Sequence, residues 1–145
     1  MAWRIVVGLL DDVKDPRGER IRREIREHLG IDLQQVRTLD VYTVDAVLTE
    51  AEVEAAAAGP LSDPVIQRYA VNCPLARDFD VLIEVGFRPG VTDNVGRTAR
   101  EAIQYLTGRP FAAGEAVYTS VQYLLTGQVD KATAERIASG FLGNG

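Results

Sequence analysis

Residues 81–108 read VLIEVGFRPGVTDNVGRTAREAIQYLTG, and residues 5–30 read IVVGLLDDVKDPRGERIRREIREHLG. Set 78 positions apart, they bring like residues together: Ile5 with Ile83, Val7 with Val85, Gly8 with Gly86, Val13 with Val91, Asp15 with Asp93, Gly18 with Gly96, Arg22 with Arg100, Ile25 with Ile103 and Gly30 with Gly108. A fixed offset of this kind marks a duplicated structural unit. Each copy reads as a strand, a turn-rich loop and an amphipathic helix stopped by glycine.

In the first copy, Trp3, Ile5, Val7 and Leu9 alternate, which predicts a strand over 3–10. Asp15-Pro16 supplies an N-cap and a proline at the first helical position, where its missing N–H costs nothing. Ile21, Ile25 and Leu29 form one apolar stripe, and Gly30 closes the helix. The β-branched run at 36–44 predicts a second strand that bends or splits near Leu39-Asp40. Thr49 and Glu52 form a capping box for a helix over 50–58, whose Val53, Ala56 and Ala57 face inward. A third strand is expected over 65–71, followed by a polar connector over 72–78.

The second copy repeats this order. Val81, Ile83, Val85 and Phe87 take one face of its first strand and Glu84 and Arg88 the other, so one side of the sheet is expected to be covered and the other partly wet. Ala99, Ala102, Ile103 and Leu106 give the helix its stripe. From 117 to 125 the offset becomes 81, pairing Val36 with Val117, Thr38 with Thr119 and Tyr42 with Tyr123, so three residues are inserted in the preceding loop. Asp130 takes the cap position of Thr49, Ala134, Ile137, Ala138 and Phe141 form the last apolar stripe, and Gly140 stands where Gly59 ends the earlier helix. The first copy runs through Leu61-Ser62-Asp63-Pro64 into a strand, whereas the second reaches Leu142-Gly143-Asn144-Gly145. The fold class expected is therefore α+β, two-layered, with tandem β-α-β-α-β units over 1–77 and 78–145 forming a pseudo-dimer. The second unit lacks its last strand, which leaves a sheet edge open or filled by another chain, including a second copy.

Composition narrows the function. The 145 residues carry a net charge of −5, which argues against a nucleic-acid backbone as partner. The basic run from Arg17 to Arg26 is interleaved with Glu19 and Glu24 and reads as a solvated helix face. No apolar run approaches the roughly 18 residues of a membrane span, and a cytoplasmic setting is the expectation. The single cysteine, Cys73, excludes an internal disulfide and any multi-cysteine zinc site.

Catalysis needs a nucleophile with a base, paired carboxylates or a metal cluster. The one histidine, His28, lies among charged neighbours on a helix and reads as a surface residue. Asp11, Asp12 and Asp15 lack the alternating oxygens and terminal glutamate of an EF-hand loop and read as a turn with a cap. No lysine-bearing phosphate loop is present, so no ATP site is expected. The most suggestive stretch is 88–98, a glycine-containing loop leading into a helix N-terminus, where Arg88, Gly90, Thr92, Arg97 and Thr98 are the candidates for binding an anion or a partner. The competing reading makes Asp93 the cap, whose carboxylate takes the same donors.

Residues 3–10, Asp15-Pro16-Arg17-Gly18, His28-Leu29-Gly30, Val36-Arg37, Tyr42 and Asp63-Pro64-Val65-Ile66 with Tyr69 resemble the small PurS subunit of phosphoribosylformylglycinamidine synthase. Residues 84–99, EVGFRPGVTDNVGRTA, and 118–123, YTSVQY, resemble the amino-terminal PurS-like region of long PurL chains. The resemblance implies a part in the ATP-dependent conversion of formylglycinamide ribonucleotide to its amidine, an activity of a carbon–nitrogen ligase that draws ammonia from glutamine. PurS-type subunits are not the catalyst in that system; they pair as dimers and hold a PurL-type synthetase and a PurQ-type glutaminase together. The implied users of ATP, Mg2+ and glutamine are those partners, with no cofactor in this chain. From the residues alone, a ferredoxin-like domain sensing an amino acid, or a small enzyme using the 88–98 loop for phosphate, stands beside this reading.

Overall fold

A computed structural model describes residues 2–75, 78–86 and 93–142. The chain runs β1 (Ala2–Leu9), α1 (Pro16–Leu29), β2 (Gln35–Asp45), α2 (Glu50–Ala58), β3 (Gln67–Val71), β4 (Val81–Gly86), α3 (Asn94–Thr107), β5 (Ala116–Thr126) and α4 (Lys131–Ile137), the last passing into a π-helical turn, Ala138–Leu142. The strands form one antiparallel sheet in the order β3-β1-β2-β5-β4. The α+β reading with β-α-β-α-β elements therefore holds, and the two halves join through β2 and β5 into a single sheet.

The register of that central pair carries a local symmetry. Asp40 lies opposite Val121, 81 positions away, the same offset that relates Val36 to Val117. Applying the offset to the pair Val36 and Leu125 gives Val117 and Val44, which is also in the ladder. The ladder maps onto itself, as strands related by a twofold axis through the Asp40–Val121 pair must.

The core obeys the same relation. One cluster holds Ile5 and Val7 of β1, Val44 of β2, Val53, Ala56 and Ala57 of α2, then Ala99 and Ile103 of α3 and Val117 of β5. The other holds Ile21 and Ile25 of α1, Val36 of β2, Leu125 of β5 and Ile137 of α4, with Ile83 and Val85 of β4 packed against it. Offsets of 78 and 81 convert many members of one cluster into members of the other. Each cluster thus takes a first helix from one half and a second helix from the other. Ile25 and Ile103 are 0% exposed, and burying each side chain is worth about 1.5–3 kcal/mol.

The reverse face of the sheet is covered by chain rather than by helices. β3 and β4 lie at opposite edges, so the segment between them crosses four strand spacings, about 19 Å, within the ~30 Å that nine extended residues span. It lays Leu75 and Phe79 on a cluster of Val6, Leu39, Val41 and Leu124. The expectation of a polar connector over 72–78 is corrected here: Leu75 within it and Phe79 just beyond it cap the middle of a face that β4 leaves wet at Leu82 and Glu84.

Other differences have local causes. β3 starts at Gln67, not Val65, because Asp63-Pro64 sets a turn in which the Asp63 side chain accepts from Val65 N at 3.0 Å and its carbonyl from Gln67 N at 2.7 Å. Val65 is left 79% exposed. β2 is continuous through Leu39-Asp40, held on both sides by β1 and β5. The α3 stripe is narrower than its spacing suggested, with Leu106 44% exposed. Gly140 does not stop the last helix as Gly59 stops α2; the π-helical turn continues through it. Phe87 and the side chain of Phe141 lie outside the described residues.

Candidate functional site

The helix entries of the two halves have the same construction. Asp15 caps α1: its Oδ1 accepts from Gly18 N at 2.9 Å, and its Oδ2 from Thr38 N at 2.7 Å and Thr38 Oγ1 at 2.8 Å. Asp93 caps α3: its Oδ1 accepts from Gly96 N at 2.7 Å, and its Oδ2 from Thr119 N and Thr119 Oγ1, both at 2.8 Å. Each carboxylate ties the first turn of a helix to the strand beneath it. Each needs a glycine three residues on, because a methyl at Gly18 would stand 2.1 Å from the Val36 carbonyl oxygen and one at Gly96 2.5 Å from that of Val117.

The same geometry fixes what the Gly96 amide meets. The Gly96 amide, at the positive end of the helix dipole, faces a carboxylate supplied by the chain itself. Of the candidates read from the sequence, Arg88, Gly90 and Thr92 lie outside the described residues. Arg97 and Thr98 are exposed on the first turns of α3, and the Thr98 hydroxyl donates to the Asn94 carbonyl at 3.0 Å.

Sequence reading missed several polar groupings that only folding assembles. Arg17 donates from Nε to Thr38 Oγ1 at 3.0 Å and from both Nη atoms to Asp40 Oδ1 at 3.2 Å, at the wall of a 360 Å³ cavity that Gln67 and Gly8 also line. The corresponding positions in the second half are Val95 and Val121. Arg37 donates to the carbonyls of Val13 and Leu10 at 2.7 and 3.1 Å, pinning the loop before α1. A second cavity, of 290 Å³, lies between α3 and the turn after α2 and is lined by Tyr42, Pro60, Leu61, Val95, Thr98 and Ala102 among others. No signal in the sequence pairs these residues beyond their place in the repeat.

The halves are also joined by charge. Arg109, after α3, donates to both carboxylate oxygens of Glu52 at 2.5 and 2.8 Å and to the Val47 carbonyl at 3.2 Å. Glu52 simultaneously closes the α2 capping box by accepting from Thr49 N at 2.9 Å. The Arg109 hydrogen bonds, then the Thr49 amide, hold the Glu52 carboxyl down at about 2. Glu115 accepts from Val47 N and Ala112 N, both at 2.7 Å, and those bonds hold it below the usual carboxylate range.

Among the described residues, no group of three or more His, Cys, Asp or Glu side chains is placed to hold a metal ion. Among the same residues no helix is long and apolar enough to cross a membrane. Cys73 is exposed.

The chain is thus of the class of two-layer α+β modules whose halves share one sheet and exchange helices across a local twofold, with α1 and α3 each entered through an aspartate cap. Within that class the family model for PurS, described as phosphoribosylformylglycinamidine (FGAM) synthase, matches residues 2–74, half of the chain. The chain belongs to the PurS family, and its place is in FGAM synthase of purine biosynthesis, as a subunit type that works in a complex. No curated protein and no solved structure matches it.

Proposed function

We propose that this chain is the non-catalytic assembly and channelling module of FGAM synthase, holding a PurL-type ATP-dependent synthetase and a PurQ-type glutaminase together. In this reading residues 1–77 and 78–145 are the two members of a dimer written into one chain, and ATP, Mg2+ and glutamine are bound by the partners. The observation that carries it is the self-mapping β2–β5 ladder with its exchanged helices, in a chain whose first half matches the PurS family. Symmetric scaffolds present paired surfaces, and pairing within one chain fixes their relative position at every concentration. The outer edge of β4 carries no strand among the described residues, whereas its counterpart β1 carries β3 there. A second copy of the chain pairing along that edge is part of the proposal.

Reconstitution tests the reading. With synthetase and glutaminase subunits supplied, adding this chain is expected to make glutamine-dependent amidine formation appear and the two subunits co-elute, while ammonia-dependent turnover by the synthetase needs the chain less. Phosphate release from ATP by this chain alone, or full glutamine-dependent activity without it, would sink the reading. Sedimentation velocity at rising concentration reads the β4 edge, and a strictly monomeric chain removes the second copy.

A further inference from the structure

The local symmetry makes each half a control for the other, and the first strands of the two halves differ in what lies beside them. Beside β1 runs β3, antiparallel, with Val71 opposite Ile5 and Tyr69 opposite Val7. Tyr69 and Val71 pack onto the helix-side cluster, and Ile5 and Val7 are left 1% and 2% exposed. The counterparts of Ile5 and Val7 on β4 are Ile83 and Val85. They pack against the other helix-side cluster, yet both are only partly buried. Among the described residues no strand lies outside β4, so its outward backbone groups lack the ladder that β3 gives β1.

The complete half specifies the occupant: a short antiparallel strand with apolar side chains at alternate positions on the helix side. β4 is itself such a strand, with Val81, Ile83 and Val85 on that side. β3 shares the pattern through Tyr69 and Val71, but β3 of one copy laid on β4 of another leaves both edge types free and propagates without closing, whereas β4 laid on β4 closes at two copies. We propose that two copies of the chain pair through β4, antiparallel about a twofold axis perpendicular to the sheet that passes through Ile83. Charge selects this register. Centring on Glu84 sets two Glu84 carboxylates opposite each other, and centring on Leu82 sets Glu84 opposite Asp80 of the second copy, both destabilising. Centring on Ile83 sets Val81 opposite Val85 and Leu82 opposite Glu84, with no carboxylates facing. Each β4 then covers the partly buried Ile83 and Val85 of the other, as β3 covers β1, and the two five-stranded sheets become one. The seam rests on the second-copy part of the function proposed above and gives it its contact residues.

The test uses the full chain carrying Cys73→Ser, so that an introduced cysteine is the one thiol present. In this background Ile83→Cys is expected to oxidise to a disulfide-linked pair on non-reducing electrophoresis, because the two copies of the residue face each other within bridging distance. Glu84→Cys is expected to stay unlinked, since the same register sets its two copies diagonally, about 7–8 Å apart. Sedimentation velocity reads the pairing without cysteines. With rising concentration the parent is expected to pass from one copy to two and no further. Val85→Lys, which puts an ammonium into the seam, is expected to raise the dissociation constant at least about tenfold with an unchanged circular-dichroism spectrum. Linking through Glu84→Cys in place of Ile83→Cys overturns the register. Growth beyond two copies, or pairing that Val85→Lys leaves untouched, places the contact elsewhere and overturns the seam. A parent that is monomeric alone, but binds the purified synthetase subunit in a way that Val85→Lys abolishes, gives the edge to a strand of that subunit and overturns it too. A monomeric parent that still restores glutamine-dependent turnover overturns the seam and leaves the bridging role standing.

Discussion

At the scale of single residues, the two cap aspartates carry more than a cap usually does. Asp15 is 6% exposed and satisfies Gly18 N, Thr38 N and Thr38 Oγ1 at once. Asp15→Ala leaves those donors buried without an acceptor, and urea denaturation is expected to show a loss of about 1–3 kcal/mol. Asp93 makes the same bonds but is less buried, so Asp93→Ala is expected to cost less; equal or reversed losses contradict this ranking. Gly18→Ala drives a methyl against the Val36 carbonyl and is expected to cost about 1–3 kcal/mol as overpacking. Glu52 sets a pH dependence. Its folded-state value is depressed from 4.5 to about 2, so its contribution is complete above about 4.5 and is lost as pH falls toward 2. Glu52→Gln is therefore expected to be less stable than the parent at pH 7, the gap closing between those values; a gap that is constant from pH 7 to 2 refutes the assignment.

At the scale of elements, helices that look equivalent in sequence do different work. α1 and α3 each close at a left-handed glycine, Gly30 at φ 67° and Gly108 at φ 74°, where a β-carbon is strained. Both bury an isoleucine completely, Ile25 and Ile103. Ile25→Ala and Ile103→Ala are each expected to cost about 2–5 kcal/mol. Because each side chain packs in a cluster drawn from both halves, either substitution is expected to lower one common melting transition. Two transitions in calorimetry, with only one moved by each variant, refute the shared core.

At the scale of the whole molecule, the two halves share one sheet, and the two helix-side core clusters draw on both of them. Removing residues 78–145 strips β5 from β2 and takes Ala99, Ile103 and Val117 out of the first half's cluster. The fragment 1–77 has one route to rebuild that contact, pairing β2 with β2 of a second fragment about the same axis. It is expected to be folded only as a dimer, with a melting temperature that rises with concentration. A folded monomer in sedimentation equilibrium contradicts the exchanged-helix core. The connector adds a further constraint, since Leu75 and Phe79 must stay across the reverse face while the edges β3 and β4 remain apart.

Much of this was legible along the chain because its determinants are local. The period-two run at 81–85, the four-residue stripe Ile21-Ile25-Leu29, the capping box Thr49–Glu52 and the glycine stops are set by neighbours within about one turn, and the repeat offset lies open to comparison of the chain with itself. The sequence alone therefore determined the element order, the α+β class and the resemblance that leads to the family. What it left open depends on residues far apart in the chain: that the halves share one sheet centred on Asp40 and Val121, that helices are exchanged between cores, that Asp93 occupies its own helix entry by way of Thr119, and that Arg109 closes the Glu52 cap. Those choices belong to the tertiary structure, because a carboxylate or an apolar stripe specifies the kind of partner it needs, while only the packed chain decides which of several such partners lies within reach.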